Sequence, residues 1–237
     1  MPKTGRLYIV ATPIGNIHDI TLRAIETLKS AHAIICEERK EGSKLLKRLD
    51  IKAKELIPLN EHNEREKSER INEIILLLHE GKQLALISDC GTPVFSDPGA
   101  LLIQQAVLFN VPVIPIPGPS SLMAALSVLD ESLERFVFGG FLPRDSDKRL
   151  EELKTLDRSG YPIILMDTPY RLNRLLDEIG SAYGKGRRIT LACDLTLPTE
   201  SIHRGTIKQI QAQVAGRKAE FILVVHAARK NKPGNPE

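Results

Sequence analysis

Three short stretches hold the residues whose types and spacing could do chemistry. The first, Ala11-Thr12-Pro13-Ile14-Gly15-Asn16, follows the apolar run Leu7–Val10 directly. Loops at strand tips have free backbone amides and are the usual ligand positions of an open α/β sheet. A plain tight turn explains Pro-Ile-Gly equally well, and the absence of G-x-G-x-x-G gives a dinucleotide fold no support. The second, Ser88-Asp89-Cys90-Gly91-Thr92-Pro93-Val94-Phe95-Ser96-Asp97-Pro98-Gly99, packs two Gly and two Pro among short polar residues. Asp97 before Pro98 could simply cap a helix, but a turn this long and stiff is better suited to holding a ligand. The third, Pro115-Ile116-Pro117-Gly118-Pro119-Ser120-Ser121, brings two hydroxyls to a helix start. An N-cap accounts for it, and so does a linker that shapes a ligand crevice.

Other chemistries find little footing. Six histidines are scattered without H-E-x-x-H spacing, and no catalytic triad, P-loop or carboxylate pair stands out. Cys36, Cys90 and Cys193 are odd in number and far apart, so they read as small buried hydrophobes, not as disulfides or zinc ligands. No metal is indicated. A missing nucleophile suits in-line methyl transfer from a sulfonium, whose leaving group arrives already activated. Positioning and desolvation then suffice.

These loops need strands and helices to hold them. Short β-branched runs at Leu7–Val10, Ala33–Cys36, Glu55–Pro58, Leu84–Ile87 and Val111–Ile116 alternate with helical patterns at Thr21–Ser30, Glu61–Glu80 and Pro98–Phe109. Asp19 is a candidate cap for the first helix, and Gly81 stops the second. Continuous apolar strands separated by helices predict a parallel sheet covered on both faces. After Pro117-Gly118-Pro119 comes a short helix at Ser120–Leu129. Strands follow at Phe136–Phe141, Ile163–Met166, Ile189–Cys193 and Phe221–His226, with helices at Lys148–Asp157, Tyr170–Ile179 and Ile207–Val214. The expected organisation is an α/β domain over 1–117, a second over 118–230 and a disordered tail over 231–237. Hydrophobic residues at 42% and charged ones at 27% of 237 positions fit folded domains. No run is long enough to span a bilayer and the apolar Leu7–Ala11 is too brief for a signal peptide, so cytoplasmic residence is expected. A net charge of +3 permits a nucleic-acid partner without demanding one.

LYIVATPIGNIHDITL at Leu7–Leu22, SDCGTPVFSDPG at Ser88–Gly99 and VIPIPGPSS at Val113–Ser121 resemble the ribosomal RNA small subunit 2′-O-methyltransferase family, of the tetrapyrrole-methylase superfamily. The likeness continues through Gly140–Arg144, Thr168–Arg171, Leu195-Thr196 with Glu200, and Lys218–Glu220, in the expected order. It implies a two-domain tetrapyrrole-methylase fold: a parallel-sheet N-terminal domain, a mixed-sheet C-terminal domain and the ligand cleft between them. It also implies a homodimer, S-adenosylmethionine as cofactor and, as substrate, a cytidine ribose 2′-hydroxyl in the decoding region of the small ribosomal subunit. By position, Pro13, Gly15, Gly91, Thr92, Ser96, Ser120, Ser121, Met166 and Leu195 look like cofactor contacts. Glu37, Glu38 and Asp167 are candidates to orient or deprotonate the hydroxyl, and Arg39, Lys40, Arg144 and Arg171 to meet phosphates.

The resemblance also has departures. A Glu-Asp-Thr-Arg run reads Glu37-Glu38-Arg39-Lys40, a Tyr-Glu-Ser-Pro-His-Arg run reads Met166-Asp167-Thr168-Pro169-Tyr170-Arg171, and an Ala-Arg-Glu-Leu-Thr-Lys run becomes Ala192–Leu197. Two other readings follow: a superfamily methyltransferase acting on a tetrapyrrole or another small molecule, and a cofactor-binding paralogue without activity. The absence of Trp and an aromatic content of 4% weigh against stacking a macrocycle.

Overall fold

The structure, a computed structural model, describes residues 4–59, 64–94 and 99–228. The chain divides into two compact units, Met1–Ser121 and Leu122–Glu237.

In the first unit, β1 (Arg6–Val10), β2 (Ala33–Cys36), β3 (Glu55–Pro58), β4 (Gln83–Leu86) and β5 (Val113–Ile116) form one sheet, ordered β3-β2-β4-β1-β5. Every pairing is parallel. β2 is buried at all four positions, as a strand covered on both faces must be. One face packs Leu7, Ile35 and Leu84 against Ile71, Ile74 and Leu78 of α3 (Glu64–His79) and Leu102 and Ala106 of α4 (Ala100–Leu108). The other packs Val10, Ile34 and Ala85 against Ala24 and Leu28 of α1 (Leu22–Ser30) and Leu46 of α2 (Arg39–Arg48).

Two sequence expectations change here. Thr21, not Asp19, caps α1, its Oγ1 accepting from the Ala24 N–H at 3.2 Å. Asp19 closes a 3-10 turn over Ile17–Asp19. Helix α2 was not expected at all: it buries only Gly42 and Leu46, so its apolar stripe is too thin to show as a periodicity. The predicted starts of α3 at Glu61 and of α4 at Pro98 lie outside the described residues. Gly81 follows α3 at φ 87°, the left-handed conformation that ends a helix.

The second unit carries α5 (Ser121–Ser127, whose first residue falls in the first unit), β6 (Val137–Phe141), α6 (Ser146–Asp157), β7 (Ile163–Asp167), α7 (Leu172–Tyr183), β8 (Arg188–Cys193), β9 (Ser201–Thr206), α8 (Ile207–Gln213) and β10 (Phe221–Val225). Its sheet runs β6-β7-β10-β8-β9; only β6 and β7 are parallel, so it is the mixed sheet that was expected. Helices α6, α7 and α8 bury their apolar stripes on one face, and Leu122 and Leu126 of α5 pack on the other. β9 escaped the sequence reading because Ser201-Ile202-His203-Arg204-Gly205-Thr206 is a half-buried edge strand with few apolar residues. Helix α7 begins later than expected, after a 3-10 turn over Pro169–Arg171, and runs on to Tyr183.

Candidate functional site

In the first sheet the chain leaves β1 toward β2 and leaves β4 toward β5, in opposite directions along the strand order. β1 and β4 are neighbours, so their carboxyl ends form the topological switch point where open α/β sheets bind ligands. The first two motifs lie there. Thr12 and Gly91 exchange backbone hydrogen bonds of 2.8 and 3.1 Å, and the Thr12 hydroxyl reaches the Ser88 carbonyl at 3.3 Å. The third motif joins them: Ala11 N–H donates to Ile116 O at 3.1 Å, and the Thr92 hydroxyl donates to Pro119 O at 3.2 Å.

The packing explains the glycines. Gly91 sits at φ 76°, and a Cβ there would lie 3.3 Å from Ile14 Cγ2. A Cβ on Gly118 would lie 3.1 Å from that of Ala11. Val94, a β-branched residue, is held at φ 73°, local strain of the kind that clusters at binding loops. Pro13, Gly15, Gly91, Thr92, Ser120 and Ser121 therefore lie on three mutually braced loops. Ser96, expected among them, lies outside the described residues.

Along 11–16, 88–94 and 115–121 there is one charged side chain, Asp89. Hydroxyls, backbone groups and a lone carboxylate suit a cationic, polar nucleoside such as the sulfonium S-adenosylmethionine. The described residues of these loops include no cationic side chain to pair with a phosphate. Thr92, Ser120 and Ser121 would supply hydroxyls to that cofactor, and Gly15 and Gly91 would allow close backbone approach.

Sequence reasoning did not single out Asp89. Burial holds its carboxyl above the usual carboxylate range, opposed by a hydrogen bond from the Glu38 backbone N–H, with the Glu41 and Glu38 carboxylates raising it further. Asp89 thus bridges the β4 loop to the start of α2, where Glu38 is the N-cap. Half-buried Glu37 and exposed Glu38, Arg39 and Lys40 follow β2 there, and Glu38 and Glu41 are the carboxylates near enough to act on Asp89. The one sequence signal of Asp89 is that it is the sole charge along the described parts of the three loops. The Cys36 thiol nearby is pushed up to about 11, by burial first and then by Asp89, and is no nucleophile at neutral pH.

In the second unit, half-buried Met166 and Leu195 pack into one apolar cluster with Ile222 and Leu122. Asp167 ends β7, only 6% exposed. Its Oδ1 accepts from the Thr168 N–H at 2.8 Å, and its Oδ2 lies 3.6 Å from Arg149 Nη1 and 3.5 Å from Arg171 Nε. Arg149 is fully buried, with Nη1 2.8 Å from Glu178 Oε2 and Nε donating to Pro143 O. Sequence reasoning missed it, although Arg149, Leu153 and Leu156 fall in one helical row. Burial raises the Asp167 carboxyl; the Thr168 N–H and Arg149 pull it back. Arg144 is exposed between β6 and α6. Among the described residues, no group of three or more His, Cys, Asp or Glu could hold a metal ion, and no helix is long and apolar enough to cross a membrane.

A parallel sheet with braced Gly/Pro loops at its switch point, joined to a mixed sheet, defines a class: the α/β S-adenosylmethionine-dependent methyltransferases. The chain matches the family described as Tetrapyrrole (Corrin/Porphyrin) Methylases over residues 6–211. It belongs to that family and, within it, to the ribosomal RNA small subunit methyltransferase I group. It is 36% identical to "Ribosomal RNA small subunit methyltransferase I" of Escherichia coli O157:H7, across 98% of this chain and 81% of that one. It is 38% identical to the protein of the same name from Xylella fastidiosa, across 96% and 84%. Among solved structures, uroporphyrin-III C-methyltransferase from Thermus thermophilus complexed with S-adenyl homocysteine aligns with a TM-score of 0.65 at 16% identity, covering 94% of this chain and 97% of that one. Diphthine synthase aligns at 0.73 and 14%, covering 94% and 90%. These two likenesses establish the shared fold.

Proposed function

We propose that this methyltransferase acts on the ribose 2′-hydroxyl of a cytidine in the decoding region of small-subunit ribosomal RNA, with S-adenosylmethionine held by the braced loops after β1, β4 and β5. The observation that carries the reading is the loop cluster at the switch point, with Asp89 as the only charge among its described residues. The names of the relatives point to ribosomal RNA. When bound, the cofactor supplies an electrophilic methyl group on a sulfonium. The Thr12–Gly91 bridge fixes the loop backbones before any ligand arrives, which lowers the ordering cost of binding. Glu37 and Glu38, which follow β2, would orient the hydroxyl and receive its proton. Asp167 is engaged by two arginines, and its part is to fix the turn that carries Tyr170 and Arg171.

Arg39 and Lys40 support a phosphate partner. Both are exposed in the first turn of α2, where the helix dipole disfavours cations. The assembly proposed is a homodimer in the cytoplasm. Leu76 of α3 and Val107, Leu108 and Phe109 at the end of α4 are exposed and offer an apolar face for it to cover. Mass spectrometry of small-subunit rRNA from cells lacking the protein tests the substrate: one ribose methyl group disappears. Unchanged ribose methylation overturns the reading.

A further inference from the structure

Tyr170 is 78% exposed, yet the turn that carries it is tied down by hydrogen bonds of its own. The Arg171 N–H donates to Thr168 O at 2.9 Å, the Thr168 N–H donates to Asp167 Oδ1, and Asp167 Oδ2 lies 3.6 Å from Nη1 of fully buried Arg149. Pro169 stiffens the same turn. Surface rings are common, and exposure alone would mean nothing. Here a second element comes to the ring: Lys218 Nζ lies 4.8 Å from its centroid.

Lys218 is anchored as well. Asn173, in the first turn of α7, donates to Arg217 O at 3.1 Å and accepts from the Gly216 N–H at 3.3 Å. Arg217 in turn pairs with Asp194 at 2.8 Å and donates to Ser201 Oγ at 2.7 Å. An aromatic face and an ammonium group are thus presented together on two braced turns, and Arg171, next in the chain to Tyr170, has its Nε 3.5 Å from Asp167 Oδ2.

We infer that Tyr170 is a stacking platform for an unpaired nucleobase of the RNA substrate, with Lys218 and Arg171 meeting the adjoining phosphates. Proteins recognise single-stranded RNA loops in this way: bases leave their own stack for an aromatic ring, and cations follow the backbone. The chemistry of the patch favours RNA over a protein segment, since a ring with cations around it matches a π face next to an anion. The inference rests on the proposed RNA substrate.

The test uses the full chain and the variants Tyr170→Ala, Tyr170→Phe and Lys218→Ala, each checked for an unchanged melting temperature. Two readouts are taken. One is methyl transfer to small ribosomal subunits stripped of the modification. The other is binding of a single-stranded oligoribonucleotide containing 2-aminopurine, whose fluorescence falls when the base stacks. Tyr170→Ala is expected to raise KM for the subunit and Kd for the oligonucleotide about tenfold, the scale of one lost base–ring stack, and to abolish the quenching. Tyr170→Phe should stay within about twofold of the parent on the same scale, with kcat and S-adenosylmethionine affinity unchanged in both. Equal losses in Phe and Ala, or no loss in Ala, overturn the platform. If the parent protein methylates no ribosomal RNA but Tyr170→Ala still loses oligonucleotide binding and quenching, the platform stands and the proposed substrate falls.

Discussion

Two buried ionisable groups in the second unit lead to opposite expectations. Arg149 is enclosed, and its partners Glu178 and Asp167 have no other cation as deeply buried among the described residues. Arg149→Met would leave the Asp167 carboxylate without its buried cation and should destabilise the protein by about 3–5 kcal/mol in urea unfolding. Adding Asp167→Asn should restore part of that, because the stranded charge is gone. Two losses that simply add would show that the pair is not coupled. His226 is the converse case, a base that folds neutral. It is 4% exposed, with Nε2 2.9 Å from Thr190 Oγ1 and Nδ1 3.1 Å from Glu131 Oε2. Burial lowers its pKa first; Glu131 and Asp130 raise it and Arg188 lowers it. A folded pKa below the ordinary 6.5 gives stability that is complete above that value and lost as pH falls through the lowered one. The melting temperature of the parent should therefore drop more steeply than that of His226→Gln between about pH 7.5 and pH 5. Parallel curves would remove His226 from the account.

At the scale of elements, α2 tests whether the fold tolerates a local cost for function. Arg39 and Lys40 open a helix whose dipole favours acids at that end, as Glu41 in the same turn already shows. Arg39→Glu should raise stability by about 0.5 kcal/mol in thermal unfolding while weakening binding to small-subunit rRNA. A variant both stabler and equally active would mean that the cation serves nothing. This helix also marks where the sequence stops being legible. Strands such as Ala33–Cys36 and Phe221–Val225 were readable because burial on both faces makes them uniformly apolar. α2 and β9 were not, because each buries too little for a periodicity to form. The binding loops were visible as dense Gly/Pro turns. Asp89 and Arg149 were not, since what singles them out is contact with residues far along the chain: Glu38 for one, Asp167 and Glu178 for the other.

For the whole molecule the governing quantity is how many cations remain for RNA. Lys and Arg exceed Asp and Glu by 33 to 30, a surplus too small to act as a uniform field. Several arginines are paired within the fold: Arg187 with Asp157, Arg188 with Asp130 and Glu131, Arg217 with Asp194. Arg39, Lys40, Arg144 and Lys218, together with Arg171, which also faces Asp167, are the cations proposed for phosphate contact. With about three to five phosphates neutralised, log K for a single-stranded ligand should fall against log salt with a slope of roughly −2 to −3.5. Arg144→Ala should make that slope shallower by about 0.7, the share of one phosphate, without moving the melting temperature. Arg187→Ala should do the reverse, lowering stability because Asp157 and the His226 carbonyl lose their donor, while the slope stays put. Filter-binding titrations of the three proteins decide it. A flat parent curve, or equal changes in slope for both variants, would mean that the exposed cations are not where the RNA backbone lies.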